Sequence, residues 1–312
     1  MLTGIDIGGT KCAVILGDNN GKIIDKIKFP TTTKDETIKQ IISAIEKLGV
    51  GDAVGISCGG PLDSKRGLVL SPPNLPGWDN VPICKMIEDR FSVPCGLQND
   101  ANACAMAEWK FGAGKGTKNM IFLTFGTGVG AGLILDGKLY SGTNDMAGEC
   151  GHIRLSEFGP VGFGKSGSFE GFCSGGGIAG LGRIFAQEKL QCGEPVGYCK
   201  TLEDLGSVTA KSIAESAQMG DETAIKVYET CGEKLGLGLS ILIDILNPER
   251  IVIGSVFERS GHLLRDKMEK VIKKEALPLA AEVCEVVPAM LGDSIGDYAA
   301  LAVASDTLER GR

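Results

Sequence analysis

The stretch Asp6-Ile-Gly-Gly-Thr-Lys11 decides the fold, because its glycine pair follows one apolar run, residues 2–7, and precedes another, residues 13–16. A second stretch, Thr124-Phe-Gly-Thr-Gly-Val-Gly-Ala-Gly132, stands between the apolar runs 120–125 and 133–135. Each pattern predicts a strand, a glycine-rich turn and a second strand. Such turns suit phosphate, because glycine lets successive backbone N–H groups approach an anion.

Neither turn matches a common phosphate-binding motif. The sequence has no G-x-x-x-x-G-K-[ST], and residues 126–130 are followed by a strand pattern where a dinucleotide motif needs a helix. A single turn of this kind is typical of an ordinary hairpin. Two of them in matching strand contexts, about 120 residues apart, indicate instead a duplicated half-domain that holds a ligand between the copies.

Composition sets the outer limits. A chain of 312 residues with 43% hydrophobic residues has material for about two domains with buried cores. The net charge of −7 and the lack of a long Lys/Arg run argue against a nucleic-acid partner. The first residues contain no basic segment followed by an apolar core, so we expect no export signal, and the longest uncharged stretch, 120–135, is too short and glycine-rich to span a membrane. We expect a soluble cytoplasmic protein whose 11 scattered cysteines are reduced thiols.

Apolar periodicity predicts a mixed α/β chain. In the first half it predicts strands at 2–7, 13–17, 22–29, 53–58 and 95–98 and helices at 35–48, 83–91 and 101–111, which together form a mixed sheet covered by helices. After a linker-like run at 112–117 come the second hairpin, helices at 210–218 and 223–244, a strand at 250–253, another helix, and a strand at 285–287. A terminal helix at 298–308 can return to the first half.

Five separated motifs carry a resemblance to a known family: Asp6-Ile-Gly-Gly-Thr-Lys11, Leu97-Gln-Asn-Asp-Ala-Asn-Ala103, Phe125-Gly-Thr-Gly-Val-Gly130, Gly148-Glu-Cys-Gly-His152 and Asn247-Pro-Glu-Arg-Ile-Val-Ile-Gly254. Their order and spacing resemble the ROK family of bacterial sugar kinases and sugar-responsive repressors. The resemblance implies the actin-like ATPase (ribonuclease H-like) fold, with two α/β lobes and a ligand cleft between them. We expect lobes at 1–117, joined by the C-terminal helix 298–312, and at 118–297.

The implied activity is transfer of the γ-phosphoryl group of ATP to a hexose hydroxyl, with Mg²⁺ as cofactor and the 6-hydroxyl of glucose as the default acceptor. Asp100 is the best candidate for the general base of such a transfer. It follows a predicted strand and opens a predicted helix, whose free N–H groups and dipole favour an ionised carboxylate. Position alone equally allows an ordinary N-cap. The resemblance implies the catalytic role, since the family's catalytic Asp stands at this place in the Asn-Asp-Ala-Asn motif.

Four polar residues resemble the sugar-binding set of the family: Asn99, Glu149, His152 and Glu170. A polyol is bound by donors and acceptors that converge on several hydroxyls at once. Glu149 and His152 stand three residues apart, so on a helical turn they face the same way. Without the other motifs, the same spacing is typical of a solvated turn.

The resemblance also assigns the nucleotide and the metal. Asp6 ends the first predicted strand, where the family places a carboxylate near Mg²⁺, often through water; alternatively, Asp6 caps its own turn. Gly254 resembles the family's adenosine-side glycine. The residues implied near the phosphates are Gly8, Gly9, Thr10 and Lys11 from the first turn, and Thr127 and Gly128 from the second.

The sequence departs from the family at residues 161–170. Many members carry Cys-x-Cys-Gly-x-x-Gly-Cys-x-Glu there and bind a structural zinc with those thiols and the preceding His. Here Val161, Phe163 and Ser168 replace all three thiols, and nearby Cys173 alone does not complete a tetrahedral site. We therefore predict no structural zinc, and we expect Val161 and Phe163 to fill the space by packing.

Two other protein classes compete with the kinase. A sugar-sensing repressor needs a helix-turn-helix before the first hairpin, whereas the first strand already begins at Leu2, so we expect a kinase. An actin-like scaffold ATPase would keep the phosphate turns without needing the sugar-binding set. N-acetylmannosamine, N-acetylglucosamine and other sugars are alternative substrates, distinguished by loops such as 59–63 and 74–78. Trp78 in the second loop either stacks on a sugar face or packs, and we expect it to pack. Relatives of this kind are commonly homo-oligomers, dimers or tetramers.

Overall fold

The structure is a computed structural model that describes residues 1–311, and it contains two five-stranded sheets with helices packed on them. The strands are β1 (Leu2–Ile7), β2 (Lys11–Gly17), β3 (Ile23–Pro30), β4 (Val54–Cys58), β5 (Leu62–Asp63), β6 (Leu68–Val69), β7 (Cys95–Asn99), β8 (Met120–Leu123), β9 (Ala131–Leu135), β10 (Lys138–Tyr140), β11 (Val161–Gly162), β12 (Lys165–Ser166), β13 (Arg250–Ile253) and β14 (Glu285–Pro288).

The helices are α1 (Lys34–Leu48), α2 (Ile83–Phe91), α3 (Asp100–Phe111), α4 (Phe169–Phe172), α5 (Gly175–Gln191), α6 (Ala210–Gln218), α7 (Glu222–Leu246), α8 (Val256–Glu275), α9 (Pro278–Glu282) and α10 (Ile295–Arg310). Short 3-10 turns occupy Cys150–His152, Leu202–Ser207 and Gly292–Ser294. Among the helices within residues 1–311, none is both long and apolar enough to cross a membrane.

The first sheet has the order β3-β2-β1-β4-β7. Its first three strands are antiparallel, whereas β4 and β7 run parallel to β1. Ile7 pairs with Cys58 and Cys58 with Asn99, so the carboxyl ends of β1, β4 and β7 meet at one edge of the sheet. Parallel strands present their carboxyl ends together, which is the usual place for a ligand in an α/β protein.

The central strands of this sheet are buried almost continuously, because both faces of the sheet are covered. On one face, Val14 and Ile56 pack with Ile41 of α1 and Ile87 of α2. On the other face, α10 packs so closely that a Cβ added at Gly55 would lie 2.1 Å from the Ala304 nitrogen. The C-terminal helix therefore packs directly on the strands that begin the chain.

The second sheet has the order β10-β9-β8-β13-β14. Strands β9 and β10 are antiparallel, and β13 and β14 are parallel. Helices α7 and α8 approach each other closely because α7 carries glycines at the contact. A Cβ at Gly232 would lie 2.6 Å from the Leu264 carbonyl oxygen, and one at Gly236 would lie 2.7 Å from that of Met268.

The chain forms two compact units. The first consists of Met1–Phe122, Gly132–Ala147 and Met290–Arg312, and the second of Leu123–Ala131 and Gly148–Ala289. The lobe boundaries at 117 and 297 that we expect from the sequence remain a prediction. The predicted strands and helices are confirmed with small shifts at their ends, such as the start of α3 at Asp100 instead of residue 101. The sequence analysis missed one long helix, α5.

Candidate active site

The first glycine turn joins β1 to β2 and is held by backbone hydrogen bonds. The Gly8 N–H donates to the Lys11 carbonyl at 3.1 Å, and the Thr31 hydroxyl donates to the Gly8 carbonyl at 2.6 Å. Gly9 has no room for a side chain, because a Cβ there would lie 2.8 Å from the Asn74 carbonyl oxygen. Thr10 and Lys11 remain exposed at this fixed turn.

Asp6 lies at the carboxyl end of β1, beside the start of α10. A Cβ added at Gly296 would lie 2.9 Å from Asp6 Oδ2. Burial raises the pKa of Asp6 to about 6, and the negative charges of Asp297 and Asp100 add to the rise, while Lys26 and Lys11 oppose it. Within residues 1–311 no backbone N–H of the first turn donates to the Asp6 carboxylate. Asp6 is therefore not the cap of its own turn.

Lys26 forms an ion pair with Asp297 next to Asp6. Both side chains are largely shielded from solvent, with 19% of Lys26 and 10% of Asp297 exposed. Because Lys26 is paired with Asp297, its charge offsets only part of the cost of ionising the Asp6 carboxylate. A carboxylate in this setting favours a cation from solution.

Asn99 and Asp100 stand at the junction of β7 and α3. The Asn99 side-chain oxygen accepts the Asn102 N–H at 2.8 Å, so Asn99 is the N-cap of α3. Asp100 accepts only short local bonds, such as that from the Ala101 N–H at 2.9 Å, and no other side chain among the described residues binds its carboxylate. The N-cap role that the sequence also allowed for Asp100 is therefore taken by Asn99.

Asp100 is exposed to solvent, but neighbouring protein atoms displace part of the water around its carboxyl group. Desolvation raises the pKa of Asp100, and the backbone N–H groups of Ala101 and of Asp100 itself only partly offset that rise. A raised pKa makes a carboxylate a stronger proton acceptor. Geometry and proton affinity together suit a general base.

The loops 59–63 and 74–78 contact the first turn or its neighbourhood. Asn74 packs on Gly9, and its side-chain nitrogen would lie 3.4 Å from a Cβ at Gly59. Trp78 is fully buried, so the prediction that it packs is confirmed. The Ser64 hydroxyl and N–H donate to the buried Asp145 carboxylate at 2.7 and 2.8 Å, which fixes the chain just after the first of these loops.

The second glycine turn is closed by Thr124 and supported by Glu170. The Thr124 hydroxyl accepts the Gly130 N–H at 2.8 Å. One carboxylate oxygen of Glu170 accepts the Val129 N–H at 3.0 Å, and a Cβ at Gly128 would lie 2.5 Å from that same oxygen. Glu170, expected among the sugar ligands, therefore also holds the turn that carries Thr127 and Gly128.

Two helix N-termini contact this second turn. The Gly175 N–H donates to the Gly126 carbonyl at 2.8 Å at the start of α5, where Ser174 caps the helix. At the start of α8 the Val256 N–H donates to the Phe125 carbonyl at 2.9 Å, and the buried Gly254, two residues earlier, donates to the Leu123 carbonyl at 3.0 Å. Helix N-termini attract anions, so this cluster suits phosphate or another anionic group.

The sequence analysis placed Gly254 in the site but missed Ser174 and Gly175. The available signal was Ser174-Gly-Gly-Gly177, a capping serine followed by glycines, which suits a helix start that other backbone must approach. Three successive glycines lower helix propensity, so the periodicity gave no helix there.

Glu149 and His152 lie on one 3-10 turn. The His152 N–H donates to the Glu149 carbonyl at 3.1 Å, and both side chains are exposed. The His152 ring contacts the Phe163 ring edge to face, with centroids 5.3 Å apart and planes at 78°. Lys165 donates to the His152 carbonyl at 2.6 Å. Contacts with the β11–β12 hairpin thus orient this turn.

The expectation that Val161 and Phe163 fill a space by packing is wrong. Val161 is 65% and Phe163 80% exposed. The hairpin turn explains this, because Phe163 has a φ of 43° and Gly164 one of 75°, a conformation that projects the Phe163 ring outward. Within the described part of the chain, no group of three or more His, Cys, Asp or Glu side chains is placed to hold a metal ion.

Comparisons with known proteins identify relatives of this chain. The family model described as ROK family matches residues 2–307. A glucokinase of Halalkalibacterium halodurans is 33% identical over 306 residues, covering 94% of this chain and 91% of that protein. A xylose repressor of Caldicellulosiruptor bescii is 29% identical over 287 residues, covering 88% of this chain and 70% of that protein.

A solved structure is also similar. The ROK family glucokinase of Streptomyces griseus in complex with glucose and AMPPNP is 30% identical, with a TM-score of 0.74 and coverage of 98% of this chain and 99% of that one. The fold is the actin-like ATPase fold, so the fold predicted from the sequence is confirmed.

Proposed function

The chain belongs to the ROK family, and from that membership we propose that it is an ATP-dependent hexose kinase that transfers the γ-phosphoryl group of ATP to the 6-hydroxyl of glucose. The observation that carries the proposal is the division of roles at the start of α3. Asn99 caps the helix, and Asp100 keeps a carboxylate that no other described side chain binds.

Asp100 acts as the general base in this proposal. Its carboxylate accepts the proton of the sugar hydroxyl as that oxygen attacks the γ-phosphorus, and the bond from phosphorus to the bridging oxygen of ADP breaks. The raised pKa of Asp100 supports this role, because the proton moves to a group with increased affinity for it. The proton ends on a carboxylate oxygen of Asp100 and leaves to solvent after the product.

Asp6 fits a Mg²⁺ site. Its carboxylate is largely shielded, lacks a capping role and stays close enough to Asp100 for the two charges to interact. Mg²⁺ is usually bound through one or two carboxylates with waters and substrate phosphates, so a larger protein cluster is not required. When bound, the ion neutralises phosphate charge during transfer. Asp6 would hold it directly or through water.

The proposed nucleotide contacts come from both glycine turns. In the first unit they are Gly8, Gly9, Thr10 and Lys11, where the exposed Lys11 supplies positive charge. In the second unit they are Thr127, Gly128 and Gly254, next to the helix starts at Gly175 and Ser255. The similarity to a glucokinase bound to AMPPNP supports this assignment.

Asn99, Glu149, His152 and Glu170 are the proposed sugar ligands. The Asn99 side-chain NH₂ group is unused by other described residues, because only its oxygen caps α3. Glu149 and His152 are exposed on one turn, and Glu170 uses a single oxygen for the Val129 N–H. Each therefore keeps hydrogen-bonding capacity for a sugar hydroxyl.

A sugar-responsive regulator is the second candidate, favoured by the match to the xylose repressor. A regulator of this kind would bind sugar without turning over ATP. Binding measured by calorimetry together with an absence of sugar-dependent ADP formation would support it over the kinase.

The kinase is tested by coupled detection of ADP with purified protein, ATP and Mg²⁺ against hexoses, N-acetylhexosamines and β-glucosides. The proposal expects glucose to give the highest kcat/KM. Preference for N-acetylmannosamine or N-acetylglucosamine would keep the kinase and change its substrate. No sugar-dependent turnover above that of Asp100→Ala would reject the kinase.

A further inference from the structure

Glu108 is a buried carboxylate that the proposed chemistry does not use. It lies on α3, two turns beyond Asp100, and its side chain is 0% exposed. Among residues 1–311, no Lys, Arg or His forms an ion pair with it. Burying a carboxylate without a cation is costly unless hydrogen-bond donors replace the lost water.

Three backbone N–H groups supply those donors. Ala113 donates to Oε2 at 2.7 Å, and Met290 and Leu291 both donate to Oε1 at 2.9 Å. The site has no spare space, because a Cβ added at Gly112 would lie 2.1 Å from Oε2. Charge-assisted bonds of this kind are stronger than neutral ones and fix geometry.

The segments that Glu108 joins by these hydrogen bonds continue to Asp100 and to Asp6, the acidic groups of the proposed active site. Asp100 lies at the N-terminus of the helix that carries Glu108. Met290 and Leu291 lead through the 3-10 turn Gly292–Ser294 into α10, whose start lies against Asp6. All of these residues belong to the first unit. One carboxylate thus joins the helix of Asp100 to the segment that precedes the helix beside Asp6.

We propose that Glu108 is a positioning residue, which fixes α3 to the segment before α10 and so sets the spacing of Asp100 from Asp6. The inference rests on the proposed kinase function, because it assigns Glu108 an effect on turnover through Asp100. Glu108 touches neither sugar nor nucleotide in this account. A shift of about 1 Å in a catalytic group is enough to lower a rate by orders of magnitude.

The test compares Glu108→Gln with Glu309→Gln. The first keeps the shape of Glu108 but removes its charge and one acceptor. The second makes the same chemical change at an exposed residue that pairs with Lys110 of α3 and leaves Met290 and Leu291 untouched. We expect Glu108→Gln to lower kcat about 10-fold with the sugar KM within about 2-fold, and Glu309→Gln to leave both within about 2-fold.

A double-mutant cycle distinguishes positioning from general damage. In an Asp100→Ala background, measured with radiolabelled ATP, Glu108→Gln should change kcat by less than about 2-fold, because its effect acts through Asp100. Amide exchange at Met290 and Leu291 should speed up in Glu108→Gln and stay unchanged in Glu309→Gln. An equal loss of kcat in both backgrounds, or no loss in either, would overturn the proposal.

Misfolding of Glu108→Gln and failure of the proposed kinase function can each be distinguished from failure of the positioning role. If Glu108→Gln does not fold, Glu108→Asp, which keeps the charge but shortens its reach, is measured with the same expectations. If the wild-type protein phosphorylates no sugar, the proposed function fails. In that case unchanged exchange at Met290 and Leu291 would also reject the anchoring by Glu108, and faster exchange would retain the anchor without its catalytic consequence.

Discussion

At the start of α3, two adjacent polar side chains have different tasks. Asn99 satisfies the Asn102 N–H that the helix start would otherwise leave free. Asp100 is consequently spared from capping and keeps an ionisable group at the carboxyl edge of the first sheet. The arrangement explains why an amide precedes the carboxylate, since an amide oxygen caps without adding a second charge beside the base.

Replacing Asp100 by Ala should lower kcat by about 10²- to 10⁴-fold while the sugar Kd changes by less than about 3-fold. The reason is that the hydroxyl proton loses its acceptor, whereas the proposed sugar ligands remain. Steady-state kinetics and calorimetry measure the two quantities. Asp89→Ala, which removes an exposed carboxylate on α2 paired with Lys85, is the matched control and should retain turnover. Near-normal kcat in Asp100→Ala would show that another group accepts the proton.

The raised pKa of Asp6 gives a prediction for stability. Its value in the folded protein is about 6 against an ordinary 3.8, so the folded state holds the proton more tightly than the unfolded chain does. The ionised carboxylate therefore destabilises the fold above about pH 6, and this cost fades as the pH falls towards 3.8. Without divalent ions, Asp6→Asn should have a higher Tm than the wild type at about pH 7.5, and the difference should shrink at about pH 5.

Magnesium provides the complementary measurement on the same two proteins. Because a ligand that binds only the folded state stabilises it, Mg²⁺ with ATP should raise the Tm of the wild type more than that of Asp6→Asn. Asp6→Asn should also lose most of its turnover. Equal Tm shifts in both proteins would exclude Asp6 from the metal site.

The N-cap of α3, Asn99, is predicted to contribute both to the stability of the fold and to sugar binding. Asn99→Ala should cost about 1 kcal/mol of unfolding free energy, the usual worth of an N-cap, and raise the sugar KM at least about 5-fold. Thr209→Ala removes the N-cap of α6, where the hydroxyl accepts the Ser212 N–H at 3.1 Å, and serves as control. Thr209→Ala should lower the unfolding free energy by a similar amount without changing the sugar KM. Denaturant unfolding and kinetics test both variants, and equal KM values would leave Asn99 as a cap alone.

The β11–β12 hairpin is predicted to function without zinc. Phe163 contacts the His152 ring edge to face, with ring centroids 5.3 Å apart, so we expect the imidazole to keep its orientation without a metal ion. Metal analysis of the purified protein should find far less than one zinc per chain, and a chelator should leave turnover unchanged once Mg²⁺ is restored. One zinc per chain would contradict this account of the hairpin.

The strands and helices also show which features of the fold can be predicted from the sequence alone. Apolar runs beside the glycine turns predict β1, β2, β8 and β9, because strand burial and turn chemistry are local properties. Helix α5 escapes prediction, since its opening glycines lower helix propensity, whereas the need for Gly177 comes from a tertiary contact: a Cβ there would lie 2.4 Å from the Gly171 carbonyl oxygen. The exposure of Phe163 escapes it too, because residue type indicates burial while the left-handed turn conformation decides it.

The same distinction between local properties and contacts between distant residues applies to the site residues. Asp6, Asn99 and Asp100 are visible as polar residues at strand ends. The assignment of the cap to Asn99, the support of the second turn by Glu170 and the anchoring by Glu108 all depend on backbone positions brought together by tertiary packing. Sequence motifs therefore indicate which residues belong to a site more readily than which neighbour each one serves.

In the whole molecule, each compact unit has a glycine-rich turn and a set of polar side chains near it. The first unit has the turn at Gly8 with Asp6 and Asp100, and the second has the turn at Gly128 with Glu149 and Glu170. Phosphate contacts are proposed at each of these two turns. We propose that the protein forms a homo-oligomer, a dimer or a tetramer, and light scattering of the purified protein tests this.

The proposed glucose kinase activity is tested most simply by identifying the product with phosphorus and proton NMR after incubation with ATP, Mg²⁺ and glucose. We predict one glucose 6-phosphate for each ADP formed, and a rate at least about 10²-fold lower with Asp100→Ala. ADP formed without any sugar phosphate, or the same rate of glucose 6-phosphate formation in Asp100→Ala, would contradict it.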